Sequence, residues 1–245
     1  MSFVQTAPIG AATARPAVLD RALGRWLLLL AALVLVQVVL GAVTRLTGSG
    51  LSIMEWRPIM GAIPPLNEAE WQRVFDLYRQ IAEYKLINAG MSLEAFKSIF
   101  WWEYAHRLWG RLIGVVFLAP FLWFWLRGHL RARWMGRLIA IFALGGLQGL
   151  MGWIMVASGF ADNTDVSQYR LVAHLLLALA IYGALLWSAF DALEPQLPVA
   201  QVPAQNVLRR HGWIMTAIIG LEIAVGGFVA GLHGGLVYNN FPMMG

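Results

Sequence analysis

The chain of 245 residues contains no cysteine and few charged side chains. Without cysteine it has no disulfides, thiolate zinc sites, cysteine-ligated iron–sulfur clusters, covalently attached c-type haem or cysteine nucleophile. Any metal ion must therefore be bound by histidine, carboxylate or methionine. Charged residues make up 13% of the chain, about half the fraction of a typical soluble domain, whereas 59% are hydrophobic. This composition excludes a soluble globular protein.

The hydrophobic residues form runs of about 20, the length of a helix that crosses a bilayer. Five runs qualify, at roughly Trp26–Thr44, Trp102–Leu126, Leu138–Gly159, Leu171–Phe190 and Gly212–Leu232. The first run is too long for a cleaved signal peptide and lacks a small-residue cleavage site. The sequence predicts an all-α polytopic membrane protein, with an N-terminal four-helix transmembrane bundle followed by the first helix of a second, repeated bundle.

The basic residues indicate how the chain is oriented in the membrane. The net charge is +5, but the basic residues lie between apolar runs rather than on a soluble face, so they indicate topology and not a nucleic-acid partner. Nine arginines share one predicted side of the membrane: Arg15, Arg21, Arg25, Arg127, Arg131, Arg133, Arg137, Arg209 and Arg210. Because positive charge marks the cytoplasmic side, the N-terminus is expected in the cytoplasm.

The predicted organisation has four parts. Residues 1–25 form a cytoplasmic tail, 26–190 a four-helix bundle with an external cap at 45–101, 191–211 a cytoplasmic linker, and 212–245 the first span and exit loop of an incomplete second bundle. Within the cap, Asn67 is placed to cap an amphipathic helix from Glu68 to about Asn88. Ser92 is expected to start a further short helix. The alternative for this connection is a disordered loop.

An internal repeat links the first and fifth spans. Gln37-Val-Val-Leu-Gly41 leads into Gly48-Ser-Gly50-Leu51 and Pro58-Ile-Met60-Gly61, whereas Glu222-Ile-Ala-Val-Gly226 leads into Gly234-Gly235-Leu236 and Pro242-Met-Met244-Gly245. A third copy of its start, Gln148-Gly-Leu-Met-Gly152, closes the third span. The repeat favours a duplicated bundle of which the second copy has only begun. We therefore expect this sequence to be a fragment or a truncated gene product.

Two histidines are candidate ligands of a haem iron. His106 and His174 each lie about one turn inside a span, and both spans run from outside to inside, so the two imidazoles are predicted at one depth on parallel, neighbouring helices. Such a pair can bind the two faces of a flat macrocycle. Gly110 and Ala178, one turn further in, are predicted to leave room for it. The alternative is that both histidines only pack between helices.

Four charged residues accompany these histidines. Glu103 stands one turn before His106, where it could serve a substrate as a base or as a stabilising charge, or could simply pair with Arg107 at i+4. Arg107, Arg111 and Arg170 are candidate contacts for haem propionates. Alternatively, these arginines extend to the membrane interface.

Several motifs together resemble the haem A synthase family of the alphaproteobacterial and mitochondrial type. They are Glu103-Tyr-Ala-His106-Arg107, Gly41-Ala-Val-Thr-Arg-Leu-Thr-Gly-Ser-Gly50-Leu, Pro58-Ile-Met-Gly61 and Gly231-Leu-His-Gly-Gly-Leu-Val-Tyr238-Asn239-Asn-Phe-Pro242-Met-Met-Gly245. The resemblance implies an eight-span enzyme of the cell inner membrane that oxidises the C8 methyl group of haem O to the formyl group of haem A for cytochrome oxidase. It implies iron ligation by His106 and His174 and catalysis by Glu103.

The resemblance also carries expectations about cofactors and partners. In the family, histidines on the sixth and eighth spans bind a haem b, and both spans are absent here, so residues 1–245 alone are not expected to turn over. Expected partners are haem O as substrate, membrane lipid, haem O synthase, cytochrome oxidase assembly factors and a second copy of the chain. Two other classes remain open: a bis-histidine b-type membrane cytochrome that passes electrons, and a non-catalytic membrane assembly protein.

Overall fold

The computed structural model describes residues 11–160, 163–194 and 205–237, together with Asn240 and Met243. These residues form helices and connections without β-strands, and five helices are long and apolar enough to cross a membrane. The five are α1 (Ala11–Leu46), α4 (Leu93–Leu126), α5 (Ala132–Ala157), α6 (Gln168–Leu193) and α7 (Gln205–Gly231), and shorter helices are α2 (Glu68–Tyr78), α3 (Ala82–Leu86) and α8 (Gly234–Val237). The predicted all-α polytopic membrane fold is confirmed.

The predicted start of the second span is wrong. Helix α4 begins at Leu93, nine residues before Trp102, and Ser92 caps it by accepting a hydrogen bond from the Ala95 amide at 3.2 Å. The separate short helix expected after Ser92 is therefore the first part of α4. Its side chains explain the extension, because Phe96 and Phe100 are buried against the connection between α1 and α4. That packing stabilises helical turns which hydropathy alone does not mark.

The connection between α1 and α4 folds into a cap over one end of the bundle, which we call the cap side. Asn67 caps α2 as predicted, since its Oδ1 accepts a hydrogen bond from the Glu70 amide at 2.9 Å. The single helix predicted to run to Asn88 is wrong: α2 ends at Tyr78, and α3 follows after an extended Ile81. Ile81 is 2% exposed, so burying its side chain favours the break in the helix.

Aromatic and aliphatic side chains join the cap to the bundle. The buried members of this cap cluster are Leu51, Phe75, Tyr78, Ile81, Phe96, Phe100, Tyr104 and Val156. A second, inner cluster fills the opposite half of the bundle, with Leu23, Trp26, Leu27, Leu30, Ala31, Val34, Phe117, Phe124, Trp134, Leu138, Ile141, Ile181, Leu185, Ala189 and Ala192. The hydrophobic core therefore has two separate parts along the bundle axis.

Helices α4 and α6 lie diagonally across the four-helix bundle. Helix α1 packs against both α4 and α6, and α5 packs against α6 and over a shorter length against α4. The expectation that the two histidine-bearing helices are neighbours is therefore wrong. Depth along a helix can be counted from sequence, but the order of helices around a bundle is decided by packing.

A layer without buried residues separates the two clusters. It comprises residues 35–43 of α1, 105–116 of α4, 142–155 of α5 and 173–180 of α6, all of which the structure describes and none of which is buried. At 1.5 Å per residue these stretches measure about 12–21 Å along their helices. We call this region the histidine layer, because it contains both His106 and His174.

Helix α7 repeats the end of α1. Leu46 and Gly231 are the last residues of the two helices and lie 185 positions apart, the offset of the sequence repeat. Gly48 and His233, again 185 apart, both have left-handed backbone conformations, with φ of 61° and 53°. Helix α7 packs on α6. Pro242, Met244 and Gly245 of the predicted exit loop lie outside the described residues.

Two predicted boundaries differ from the helices that the structure describes. The linker predicted at 191–211 is helical through Leu193 and again from Gln205, and the residues between 195 and 204 lie outside the described part. Likewise, α1 begins at Ala11 within the predicted N-terminal tail, whose first ten residues are not described.

Three arginines at the end opposite the cap side, Arg131, Arg133 and Arg137, form ion pairs there. Arg131 lies 3.1 Å from Asp20 and Arg137 lies 2.7 Å from Asp191. The α1 start, the α4–α5 connection and the α6 end thus share one side, as the charge pattern predicts.

Candidate functional site

His106 of α4 is held against α1 by a glutamine and a glycine. The amide nitrogen of Gln37 lies 3.1 Å from the main-chain oxygen of His106, and 3.2 and 3.3 Å from its Nδ1 and Nε2 atoms. One turn further along α1, a Cβ atom at Gly41 would lie 3.0 Å from Cε1 of His106. The glycine therefore permits the imidazole to rest directly on the backbone of α1.

His174 of α6 is held against α5 in the same way. The amide nitrogen of Gln148 lies 3.1 Å from the main-chain oxygen of His174 and 3.3 Å from its Nε2 atom. A Cβ atom at Gly152 would lie 2.9 Å from Cε1 of His174. We call each Gln-x-x-x-Gly segment with its histidine a cradle.

The two cradles occupy corresponding positions in the bundle. Gln37 lies nine residues before Leu46 at the end of α1, and Gln148 lies nine residues before Ala157 at the end of α5. Because α1 and α5 both end at the cap side, the cradles lie at similar depth within the histidine layer. The histidines themselves belong to the diagonal helices α4 and α6, so the interior of the bundle lies between them.

No whole residue of the histidine layer is buried, but some of its polar atoms are, and they make no hydrogen bond within the described structure. Among the residues that the structure describes, these include Oε1 of Gln37, Oε1 of Gln148 and Nδ1 of His174. A buried polar atom that makes no hydrogen bond is costly, so such atoms point to a bound group. Two imidazoles at similar depth on diagonal helices, in a part of the bundle without buried residues, supply the donor set of a haem ligated on both faces.

Glu103 lies on α4 one turn to the cap side of His106, and it is 2% exposed. Its Oε2 accepts hydrogen bonds from Ser52 Oγ at 2.7 Å and from the Ile53 amide at 2.8 Å, and its Oε1 accepts one from Arg107. The ion pair with Arg107 is therefore present. The carboxylate is fixed between α4 and the first residues after α1, at the cap-side edge of the histidine layer.

The three candidate arginines bind main-chain oxygens. Arg107 also donates to the carbonyl of Ile53 at 2.9 Å, and Arg111 donates to that of Pro58 at 2.8 Å. Arg170 donates to the carbonyl of Ile154 at 2.8 Å. In the described structure, Nη1 of Arg111 is buried and makes no hydrogen bond. Arg107 and Arg111 thus fix the cap segment to α4.

A family model described as cytochrome oxidase assembly protein, COX15-CtaA, matches residues 24–245. The chain belongs to this family. It is 53% identical over 231 residues to a protein of Rhodospirillum centenum named heme A synthase, which covers 94% of this chain and 61% of that relative. A protein of the same name from Nitrosomonas eutropha is 51% identical over 220 residues, covering 89% and 62%.

A third relative, from Nitrosospira multiformis and again named heme A synthase, is 47% identical over 244 residues, covering 100% of this chain and 68% of its own length. The chain thus spans about three-fifths of the length of the first two curated relatives. No solved structure matches the chain.

In this member of the COX15-CtaA family, sequence reasoning found the histidines but not the residues that hold them. The Gln-x-x-x-Gly segments are visible in the sequence as a repeat, but the repeat alone does not predict their contact with the histidines. Their i and i+4 spacing on one helix face was the available signal. Gly110, expected to make room for a macrocycle, lies next to Gln37, whose amide nitrogen would lie 3.4 Å from a Cβ atom at that position, an ordinary van der Waals contact.

A second polar cluster joins the end of α7 to the end of α1 and to the connection between α5 and α6. Arg45 at the end of α1 lies 2.7 Å from Asp165 and donates to the main-chain oxygen of Ala230 at 3.1 Å. His233 lies 3.2 Å from the same Asp165 carboxylate. Burial alone would raise the pKa of Asp165, but hydrogen bonds from Arg45 and His233 hold it below its usual value. The cluster fixes α7 near the cap side.

Proposed function

We propose that the protein is a haem A synthase, which oxidises the C8 methyl group of haem O to a formyl group. The observation that carries the proposal is the pair of cradles, which present His106 and His174 from diagonal helices at similar depth. Family membership and relatives named heme A synthase support the reaction. The product would serve cytochrome oxidase, in keeping with the family description.

In this proposal residues 26–190 form the substrate-binding unit. His106 and His174 bind the iron of haem O, one on each face of the ring, and the histidine layer receives the macrocycle. The chain's own contribution is orientation, since two fixed ligands determine which edge of the ring approaches the cap side. A haem b would belong to the part of the longer relatives that this chain does not match.

Glu103 is the proposed catalytic residue. Conversion of a methyl group to a formyl group replaces two hydrogens of the carbon by one oxygen atom and passes four electrons in total to an external electron acceptor, so the carbon becomes electron-poor as it is oxidised. A carboxylate at the edge of the ring stabilises that charge or accepts a released proton. Its hydrogen bonds with Ser52, Ile53 and Arg107 keep Glu103 at this edge.

The arginines contribute unequally to propionate binding in this proposal. Arg107 is next to His106 and already carries a carboxylate partner, and Arg170 lies at the cap-side end of α6. Arg111 is five residues after His106, which places it about 140° around the helix from the ligand. Position therefore favours Arg107 and Arg170, whereas Arg111 contributes a buried Nη1 that makes no hydrogen bond within the described structure, while its other nitrogens hold the main chain at residues 57 and 58.

Orientation and partners complete the proposal. The arginine-rich end lies in the cytoplasm and the cap outside it, in the cell inner membrane. Haem O is supplied by haem O synthase, and the product passes to cytochrome oxidase assembly factors. Surrounding lipid covers the exposed apolar faces, and a second copy of the chain can pack on them.

One observation favours a second candidate, a b-type cytochrome that passes electrons. Both oxygens of Glu103 are already hydrogen-bonded, as a purely structural ion pair would be. Both candidates need the two histidines, but only haem A synthase changes the bound haem.

The experiment is to express residues 1–245 joined to the C-terminal part of the longer Rhodospirillum centenum relative, because this chain alone is not expected to turn over. The host makes haem O but lacks its own haem A synthase, and the mass of the haem extracted from its membranes is determined. Haem A that depends on His106 and His174 supports the proposal. The host carrying an empty vector is the control and should contain no haem A. Bound haem that is never converted, with the protein intact, would favour the cytochrome instead.

A further inference from the structure

We propose that Gln37 and Gln148 are positioning residues that set the ring orientation and the hydrogen position of the two iron-binding histidines. This inference rests on the proposed function, since it requires His106 and His174 to bind iron. It goes further by assigning a role to two polar residues that no ionic pairing explains, each inside a membrane-spanning helix.

The first step is the shared geometry. Each glutamine amide nitrogen lies 3.1 Å from the main-chain oxygen of its histidine, and 3.2–3.3 Å from a nitrogen of the same ring. One amide thus contacts both the backbone and the side chain of the ligand residue. The backbone contact fixes where the amide lies relative to Cα of the histidine, so the ring contact can fix the side-chain torsions.

The second step is that the glycines limit where each ring can go. Gly41 and Gly152 bring the Cε1 edges of the imidazoles against the backbones of α1 and α5. The Gln37 amide lies beside Gly110, where a Cβ atom would be 3.4 Å from its nitrogen. Each ring is therefore bounded by a helix backbone along one edge and by an amide next to it, which leaves few orientations.

Each glutamine also offers an acceptor for the hydrogen of an iron-bound imidazole. When iron binds one imidazole nitrogen, the other carries the hydrogen and usually donates it to an acceptor. The Oε1 atoms of Gln37 and Gln148 are buried and, within the described structure, accept no hydrogen bond. A carboxamide has a donor and an acceptor at its end, so Nε2 can keep its bond to the histidine main-chain oxygen while Oε1 turns to accept the ring N–H. The amide can thus contact the ring through Nε2 when no iron is bound, and accept the ring N–H through Oε1 when iron is bound.

The test uses Gln37→Leu and Gln148→Leu, which remove the donor and the acceptor at similar size. The matched control is Ser188→Ala on α6, which removes a buried hydrogen bond to the Ala184 carbonyl outside the histidine layer. Haem titration of the purified proteins gives affinity, and electron paramagnetic resonance of the ferric state reports ring orientation. Each Leu variant should bind haem about 10–100-fold more weakly and show altered g values, whereas the control should match the unchanged protein.

Gln37→Glu keeps the length of the side chain and keeps an acceptor for the ring. Unlike Gln37→Leu, it should bind haem with an affinity within several-fold of that of the unchanged protein. It should also lower the midpoint potential, because a carboxylate accepts a stronger hydrogen bond from the ring N–H and makes the ligand more basic. These readouts do not require turnover, and the Glu variant gives a result even where a Leu variant fails to fold.

Leu variants with unchanged affinity and g values, or a Glu variant with an unchanged potential, would overturn the inference. Failure of the proposed function looks different. In that case the unchanged protein would bind no haem, or its haem spectrum would not respond to His106→Ala.

Discussion

Replacing Gly152 with alanine is expected to separate haem binding from stability. The new Cβ atom would lie 2.9 Å from Cε1 of His174. Carbon atoms in good contact are about 3.5–4.0 Å apart, so the ring must retreat by about 0.6–1.1 Å. Binding sites tolerate displacements of only about 0.5 Å. We therefore expect Gly152→Ala to bind haem at least about 10-fold more weakly.

The same substitution should not destabilise the helix. Alanine is favoured over glycine in a helix interior by about 1 kcal/mol, and the atom it meets is the end of a side chain that can move. The variant should therefore unfold at the same temperature as the unchanged protein or slightly above it. Haem affinity by titration and thermal unfolding by circular dichroism measure the two effects separately.

Gly136→Ala is the matched control, since it lies on the same helix and a Cβ atom there would meet nothing within 4 Å. It should gain helix stability without a change in haem affinity. If Gly152→Ala bound haem as tightly as this control, with the same ferric spectrum, then His174 would not rest against α5 in the haem-bound protein. The contact of His174 with Gly152 would then not be part of the haem site.

Three further predictions follow from other contacts. In a protein extended to the full length of the relatives, Glu103→Gln should retain haem and lose formyl formation; extracted haem is identified by mass, and normal haem A production by that variant would remove the catalytic assignment. Burial, with nearby Glu103 and Asp165, raises the pKa of Glu83 to about 7 from its ordinary 4.5, so the folded state holds this proton more tightly and stability should fall as pH rises from about 4.5 to 7. Glu83→Gln should flatten that part of a thermal-unfolding series, and an unchanged slope would exclude Glu83 as its cause. Asp165→Asn should weaken docking of α7 by no more than about 1 kcal/mol, because the Arg45–Asp165 pair is partly exposed; faster proteolysis near α7 tests this, with Asp76→Asn as control, and equal rates in both variants would contradict it.

Sequence patterns predicted the spanning helices because the thickness of the bilayer sets how many consecutive apolar residues a spanning helix needs, and such runs are visible from hydropathy alone. They failed where tertiary contacts decide. Helix α4 extends to Leu93 because Phe96 and Phe100 are buried in the cap cluster, and α2 ends early because Ile81 is buried there in an extended conformation. Neither contact has a local signature, since the partner residues are distant in sequence.

The candidate site was predictable along the helices but not around them. The spacing of His106 and His174 from the span ends indicated a common depth. Placing them on diagonal helices required the packing of α1 against both α4 and α6. The Gln-x-x-x-Gly repeats were visible in the sequence, yet their contacts with the histidines depend on helix pairs that only the fold brings together.

Electron paramagnetic resonance of the ferric haem-loaded protein shows whether both histidines bind the iron, because the low-spin signal of a haem with two imidazole ligands requires both of them. We expect this signal in the unchanged protein and its loss in both His106→Ala and His174→Ala, while His211→Ala, at the exposed opposite end on α7, leaves it intact. A low-spin signal that survives either of the first two substitutions would contradict a haem bound between α4 and α6.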